Sequence, residues 1–335
     1  MIYLFLFLSS LILTRFYYSF SPRLGFVDIP NHRSSHVQNT PRGGGMVFML
    51  LWLIYLAVSQ LNWPIFFSGL IVALLGFLDD AFGLGRKIRF LFQIGASLLF
   101  IFLIGGISDY HLIFTHVNVG IVAGSCLAVL SLLWSTNLFN FMDGIDGIAS
   151  VEALFLLLPL SFLAVEYHAI SIAILCSSLA TVILGFLWWN WPKARVFMGD
   201  IGSSCLGFLI AAFALLLQSH FEVPIIYFFM LYGAFLFDAT VTLLRRILAK
   251  ECWYKAHRQH AYQRMQNCGW SHLKILGWII LINTIITSLV FLTYHHYLPL
   301  LLSIAIEFLL LVLVYVWVEK KSPMMFEPKE LVVCN

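Results

Sequence analysis

The chain has 335 residues, of which 61% are hydrophobic and only 10% charged, with 19 Lys and Arg against 16 Asp and Glu. A water-soluble domain is about a quarter charged. No soluble packing buries this much apolar surface, so a mean hydropathy of +0.94 excludes a soluble enzyme, a disulfide-rich secreted domain and a disordered chain. At about 20 residues per bilayer crossing there is room for roughly ten or eleven spans.

Apolar runs predict helices over 2–20, 45–61, 65–78, 90–105, 118–136, 148–165, 169–187, 204–218, 224–244, 273–293 and 300–318. The first run has no basic residue ahead of it and no small-x-small cleavage site, so it reads as a retained span rather than a signal peptide. Loops 62–64, 106–117, 166–168, 219–223 and 294–299 contain no Lys or Arg; the other loops, the helix ends and the tail hold all 19. The positive-inside rule then predicts eleven crossings with the N-terminus outside and the C-terminus inside. The expected fold is an all-α polytopic membrane protein, a single integral-membrane domain over 1–335 with a recognition loop at 245–272. Function is expected on the inner face, where the loops are long. No cysteine falls in an outside loop, so no disulfide framework is expected.

Five carboxylates gather at inner-face span ends. Leu75-Gly76-Phe77-Leu78-Asp79-Asp80 closes a span on two adjacent acids, which repel unless a cation compensates. Helix-end decoration, with Asp80 capping the next helix, is the bland alternative. The most specific block is Asn137-Leu138-Phe139-Asn140-Phe141-Met142-Asp143-Gly144-Ile145-Asp146-Gly147. There Asn137, Asn140, Asp143 and Asp146 recur every three residues, and the glycines permit positive φ at a helix break. Gly199-Asp200-Ile201-Gly202-Ser203 adds a third acidic element on the same face. Hard oxygen donors from several loops suit Mg²⁺ alongside phosphate oxygens. Cations and backbone-exposing glycines accompany them: Arg33 and Arg42 to Gly45 in the first inner loop, Arg86, Lys87 and Arg89 after the acid pair, and Lys255 to Arg264 in the last loop. Carboxylates for a metal and cations for phosphates on one membrane face describe phosphoryl transfer involving a lipid. Glu152, Asp238 and Glu307 fall inside spans, fit no motif, and read as packing or lining residues.

In this order, these motifs resemble the polyprenyl-phosphate N-acetylhexosamine-1-phosphate transferase superfamily (glycosyltransferase family 4) over nearly the whole chain. The last loop departs from a run of consecutive histidines, reading His257-Arg258-Gln259-His260-Ala261-Tyr262-Gln263-Arg264. That resembles the subgroup that initiates O-antigen or capsule units. The resemblance implies a bacterial inner-membrane enzyme with its active site on the cytoplasmic face. It would transfer a sugar-1-phosphate from a UDP-N-acetylhexosamine (GlcNAc, GalNAc, FucNAc or QuiNAc type) to undecaprenyl phosphate, releasing UMP. It implies Mg²⁺, with Mn²⁺ as the alternative ion, a homodimer as one assembly, and no nucleic-acid partner. By residue, Asp200 and Asn140 correspond to metal ligands, and Asp79, Asp80, Asp143 and Asp146 to catalytic carboxylates. Arg33, Gly44, Arg89, Asn137, Lys255, His257, Arg258 and His260 correspond to substrate contacts. Direct attack by the lipid phosphate is the expected route, an aspartyl-phosphate intermediate the alternative. A transporter or lipid flippase is the main rival, and it predicts polar residues at mid-span rather than on one face. A CDP-alcohol phosphotransferase needs an Asp-Gly-x-x-Ala-Arg motif, whereas Asp143-Gly144-Ile145-Asp146 continues as Gly147-Ile148.

Overall fold

A computed structural model of the chain describes residues 1–29, 39–252 and 257–325. Every predicted run is helical: α1 (Ile2–Phe20), α2 (Gly45–Ser59), α3 (Trp63–Phe82), α4 (Arg86–Leu103), α5 (Ile121–Met142), α6 (Ile148–Glu166), α7 (Ile170–Asn190), α8 (Gly199–Phe221), α9 (Ile225–Leu231) with α10 (Gly233–Leu248), α12 (His272–Tyr294) and α13 (Leu300–Lys321). A short helix, α11 (Ala261–Asn267), interrupts the last inner loop. The protein is an all-α, multi-pass membrane protein.

Eight of these helices are long and apolar enough to cross a bilayer, and the α9–α10 pair, bent by 74° at its break, makes a ninth if it is one broken span rather than a re-entrant loop. The two remaining runs are weaker. Helix α2 has 15 residues, about 22 Å at 1.5 Å per residue, against a hydrocarbon core about 30 Å thick. Helix α4 opens on Arg86, Lys87 and Arg89. Two antiparallel pairs, β1 (Val27–Asp28) with β2 (Thr40–Pro41) and β3 (Asp109–His111) with β4 (His116–Asn118), lie in segments that the apolar pattern leaves as loops. Cysteine usage also differs from expectation: Cys252 is disulfide-bonded, while Cys126, Cys176, Cys205 and Cys268 are free.

The described chain divides into two compact units, Met1–Phe228 and Phe229–Asn335. In the first, α8 is the central post, buried along nearly its whole length. Small residues let other helices approach its backbone closely, as apolar packing within a membrane favours. A Cβ on Gly76 of α3 would fall 2.4 Å from Ile201 Cα, one on Gly45 of α2 2.4 Å from Gly202 Cα, and one on Gly207 2.3 Å from the Ser135 carbonyl of α5. Ser135 Oγ donates to the Gly207 carbonyl at 2.7 Å, which secures the α5–α8 contact. The start of α8 therefore sits against the start of α2 and the ends of α3 and α5. The other end of this unit carries the β3–β4 hairpin, where Tyr110 donates to the Gly124 carbonyl at 2.8 Å.

In the second unit, α12 and α13 pack through Ile282, Ile286 and Leu311. Trp270, Trp278 and Trp317 group with ring centroids 5.2–6.3 Å apart.

Candidate active site

The predicted runs stop short of the polar motifs, but the helices continue through them. Asp79 and Asp80 occupy the last turn of α3, Asn137 and Asn140 the last two turns of α5, and Asp200 the first turn of α8. Backbone hydrogen bonding satisfied inside a helix explains the extension, since a polar side chain at a span end does not interrupt the ladder.

Four helix ends meet at one place in the first unit. Asn140 Nδ2 donates to Asp200 Oδ1 at 2.7 Å and to Ser203 Oγ at 3.1 Å. Arg89, from the first turn of α4, donates to Asp79 Oδ2 at 2.7 Å and reaches Asp200 Oδ2 at 3.5 Å. The Asp79 and Asp200 carboxyl groups stand within hydrogen-bonding reach of each other. One guanidinium thus serves two crowded acids.

Asp80 is engaged differently. Its two oxygens accept the backbone N–H groups of Asp200 and Ile201, both at 3.1 Å. It caps a helix, as the bland reading allows, but the helix is α8, 120 residues away in the chain, rather than the next one. The anionic side chain satisfies two orphan donors at a helix N-terminus and complements its dipole. Arg42 Nη2 donates to the Asp80 carbonyl at 2.7 Å, and Tyr17 Oη donates to the Arg42 carbonyl. Asp80 therefore fixes the backbone that presents Asp200. Asp79 is also fully engaged, its Oδ1 accepting from Leu84 N–H at 2.8 Å.

Asp143 ends α5 at φ −85°, ψ 61°. Its side chain makes no hydrogen bond among the described residues. Burial, then the like charges of Asp200, Asp80 and Asp146, push its carboxyl up to about 8. Asp146 turns away to the loop after α7, its Oδ2 accepting from Lys193 N–H at 3.0 Å and Ala194 N–H at 3.2 Å. Gly147 takes φ +76° at the start of α6, as a helix break there requires, and its N–H donates to Asn190 Oδ1 at 3.1 Å. Asn137 lies one turn from Asn140, donating to Gln93 Oε1 and to the Leu133 carbonyl, both at 2.8 Å.

The glycine run serves packing as well as backbone exposure. Gly44 N–H donates to the Phe197 carbonyl at 2.9 Å, and a Cβ there would fall 2.5 Å from Val196 and 2.7 Å from Phe186. Space at Gly44 is filled by protein, so a ligand does not take the place of its missing side chain. Tyr17, Gln93 and Asn190 support the site and carry no motif signal of their own, whereas Arg42 and Ser203 belong to motifs named above; Gln93, one turn after Arg89 on α4, is the one the sequence spacing offers.

The second unit holds the last inner loop, and its cations are largely consumed inside it. Glu319 of α13 pairs with Arg245 at 2.6 Å and with Arg264. Arg246 pairs with Glu251 at 2.8 Å. Asp238, read above as a packing residue, instead accepts the Ala261 N–H at 2.8 Å and faces His260 Nδ1 at 3.8 Å. Arg258 donates to Gln266 Oε1 at 2.9 Å. The His257 ring lies 4.8 Å from that of His260; burial, then the charges of His260 and Arg246, hold its imidazole down to about 3. His257 is neutral at physiological pH. Arg33 and Lys255 lie outside the described residues.

Whether the acid cluster suits a divalent cation turns on its donor set. No group of three His, Cys, Asp or Glu forms a closed metal cage among the described residues. Mg²⁺ does not need one, because it commonly keeps waters and substrate phosphates beside one or two carboxylates. Asp200 with Asn140, and Asp79 within reach, supply hard oxygens and a local excess of negative charge. The residues fit such an ion.

Residues 62–218, which include α3 to α7, nearly all of α8 and most of these side chains, match the family described as glycosyl transferase family 4. Among its relatives, the chain is 28% identical over 295 residues to a probable undecaprenyl-phosphate N-acetylglucosaminyl 1-phosphate transferase of Bacillus subtilis, covering 83% of this chain and 82% of that one. It is 28% identical over 299 residues (76% and 72%) to the decaprenyl-phosphate N-acetylglucosaminephosphotransferase of Mycobacterium tuberculosis. A phospho-N-acetylmuramoyl-pentapeptide-transferase of Lactococcus lactis is 31% identical over 218 residues (59% and 65%). With its helical membrane architecture and its acid cluster, the chain is an enzyme whose relatives are polyprenyl-phosphate hexosamine-1-phosphate transferases.

Proposed function

We propose that the protein transfers an N-acetylhexosamine-1-phosphate from a UDP-sugar to undecaprenyl phosphate on the cytoplasmic face of a bacterial inner membrane. The product initiates an O-antigen or related envelope glycan. Eleven crossings, counting α2, α4 and the bent α9–α10 pair, with the N-terminus outside, are part of this proposal. The observation that carries it is the convergence of Asp79, Asp200, Asn140 and Arg89, with Asp80 behind them, at one end of the first unit.

The reaction joins two anions. An oxygen of the lipid phosphate attacks the sugar-bearing phosphorus of the donor, a P–O bond forms, the P–O bond to UMP breaks, and UMP leaves with its electron pair. One phosphoanhydride replaces another, so no ATP is consumed. A bound Mg²⁺, held by Asp200 and Asn140, would neutralise phosphate charge. Arg89 orients Asp79 and Asp200 and offers its remaining N–H groups to a phosphate. Asp79 and Asp80 have all four oxygens in hydrogen bonds, which disfavours either as the proton acceptor. Asp143 is uncommitted, and its pKa near neutrality suits it to take a proton from a monoprotonated lipid phosphate. In this reading Asp146 and Gly44 hold the surrounding loops, Asn137 lines the site one turn deeper, and His257, Arg258 and His260 with Lys255 and Arg33 read the donor.

The test is purified protein with undecaprenyl phosphate, Mg²⁺ and a panel of UDP-N-acetyl sugars, scoring UMP and lipid-linked sugar together. Equal amounts of both are expected for one or two donors. No UMP from any donor would sink the proposal and favour a transporter. Phosphorylated protein trapped with donor alone would replace direct attack by a covalent route.

A further inference from the structure

Two guanidinium groups of the first unit each lie against the same indole. Arg15 is exposed on α1, its guanidinium carbon 5.7 Å from the Tyr18 ring centroid and 5.6 Å from that of Trp189. Arg195, exposed in the loop after α7, lies 5.5 Å from the same Trp189 ring. Trp189 is buried, and its Nε1–H donates to the Leu11 carbonyl at 3.0 Å, so the platform is fixed. The turn carrying Arg195 is fixed as well. Asp146 takes the N–H groups of Lys193 and Ala194, Arg195 N–H donates to the Trp189 carbonyl at 2.8 Å, and Asn190 Nδ2 donates to the Val196 carbonyl at 3.0 Å. Lys193 is presented outward at φ +70°. The side chains of Arg15, Lys193 and Arg195 form no ion pair among the described residues. Phe16, Trp188 and Trp191, near these cations in the chain, are exposed.

We propose that this patch binds the phosphate of an anionic glycerophospholipid from the surrounding leaflet. Three unpaired cations give the charge complementarity. A guanidinium stacked on an aromatic face keeps its N–H edge free to fork onto a phosphate. The patch lies at the ends of two spans, α1 and α7, where the headgroups of a bilayer lie. The exposed Trp and Phe rings contribute nothing to a free phosphate ion, but they suit the boundary between headgroup and acyl chain. The acid-cluster residues Asp79, Asp80, Asn140 and Asp200 come from other helices, but Tyr17 of α1, Asn190 of α7 and Asp146 tie the patch to the loops around them, so the test sets a leaflet phospholipid against the acceptor lipid.

The test is native mass spectrometry of the full chain, titrated with dioleoyl-phosphatidylglycerol, dioleoyl-phosphatidylcholine and undecaprenyl phosphate. The wild type should hold phosphatidylglycerol on the order of tenfold tighter than phosphatidylcholine, as expected for a charged hydrogen-bonded phosphate. Arg15→Gln with Arg195→Gln should abolish that preference, and Arg15→Lys with Arg195→Lys should keep part of it. Arg195→Gln alone, in an exposed turn, gives the same reading with weaker effect if the double variant folds poorly. Equal phosphatidylglycerol affinity in wild type and glutamine variants would overturn the proposal. So would selective loss of undecaprenyl phosphate, which would assign the patch to the acceptor.

Discussion

The two units treat charge in opposite ways. In the first, Asp79, Asp143 and Asp200 crowd together with Arg89 as the cation that bonds two of them, and Asp143 is left with a carboxyl raised to about 8. In the second, Arg245, Arg246 and Arg264 are each matched by Glu251 or Glu319 within the same unit. Uncompensated like charge is costly and persists where something else is to bind. Internally matched charge builds shape. A loop that looks, by composition, like a set of phosphate-binding cations is instead a folded element braced by ion pairs, with only a few side chains left for recognition.

The sharpest way to break this comparison is Asp200→Asn. It should cost about 10³-fold or more in turnover, measured as UMP release, while membrane insertion and thermal unfolding stay near wild type. Full activity would show that the crowded acids are not the reaction centre. Asp80→Ala comes next, because it uncaps α8. It should lower stability by about 1–3 kcal/mol as well as activity, and Asp80→Asn, which keeps one acceptor oxygen, should recover part of the stability. Loss of activity with unchanged unfolding would mean that Asp80 acts on substrate rather than through α8. Gly202→Ala should destabilise by about 1–3 kcal/mol through overpacking, since a Cβ there would meet Met198 at 2.2 Å and Gly45 Cα at 3.0 Å. For the second unit, Glu319→Gln removes the shared partner of Arg245 and Arg264. It should raise the donor KM several-fold with a smaller change in kcat, if the brace shapes recognition rather than chemistry.

A separate effect concerns pH. A carboxyl held at about 8 in the folded protein keeps a proton that the unfolded chain, with an ordinary carboxylate pKa, releases near 4. Between those values the folded state binds more protons, so stability falls as pH rises through this window and levels off above 8. In EDTA, the unfolding temperature of wild type should decline from pH 5 to 8, and Asp143→Asn should flatten that slope. Parallel slopes would place the uncompensated charge elsewhere.

Much of the architecture was legible in the chain. Runs of apolar residues marked every long helix, because in lipid the backbone must satisfy its own hydrogen bonds and the side chains must be apolar. Spacing of three placed Asn137 and Asn140 on one face of α5, and the Asp-rich motifs pointed to one end of the first unit. Local pattern could not separate acids of identical type: Asp80 faces two backbone N–H groups of α8, Asp146 two of the loop after α7, and Asp143 none. Nor could it divide Gly44, whose Cβ space is filled by Val196 and Phe186, from Gly147, which needs positive φ.

By itself, then, the sequence determined a helical membrane protein with acids and cations gathered at span ends, because solvent preference and helical period are properties of residues near one another in the chain. Only the tertiary structure decided which of those charges cancel and which remain, because the partner of each (Ile201 for Asp80, Glu319 for Arg245, Asp238 for the start of α11) lies 23 to 121 residues away and is chosen by how helices pack.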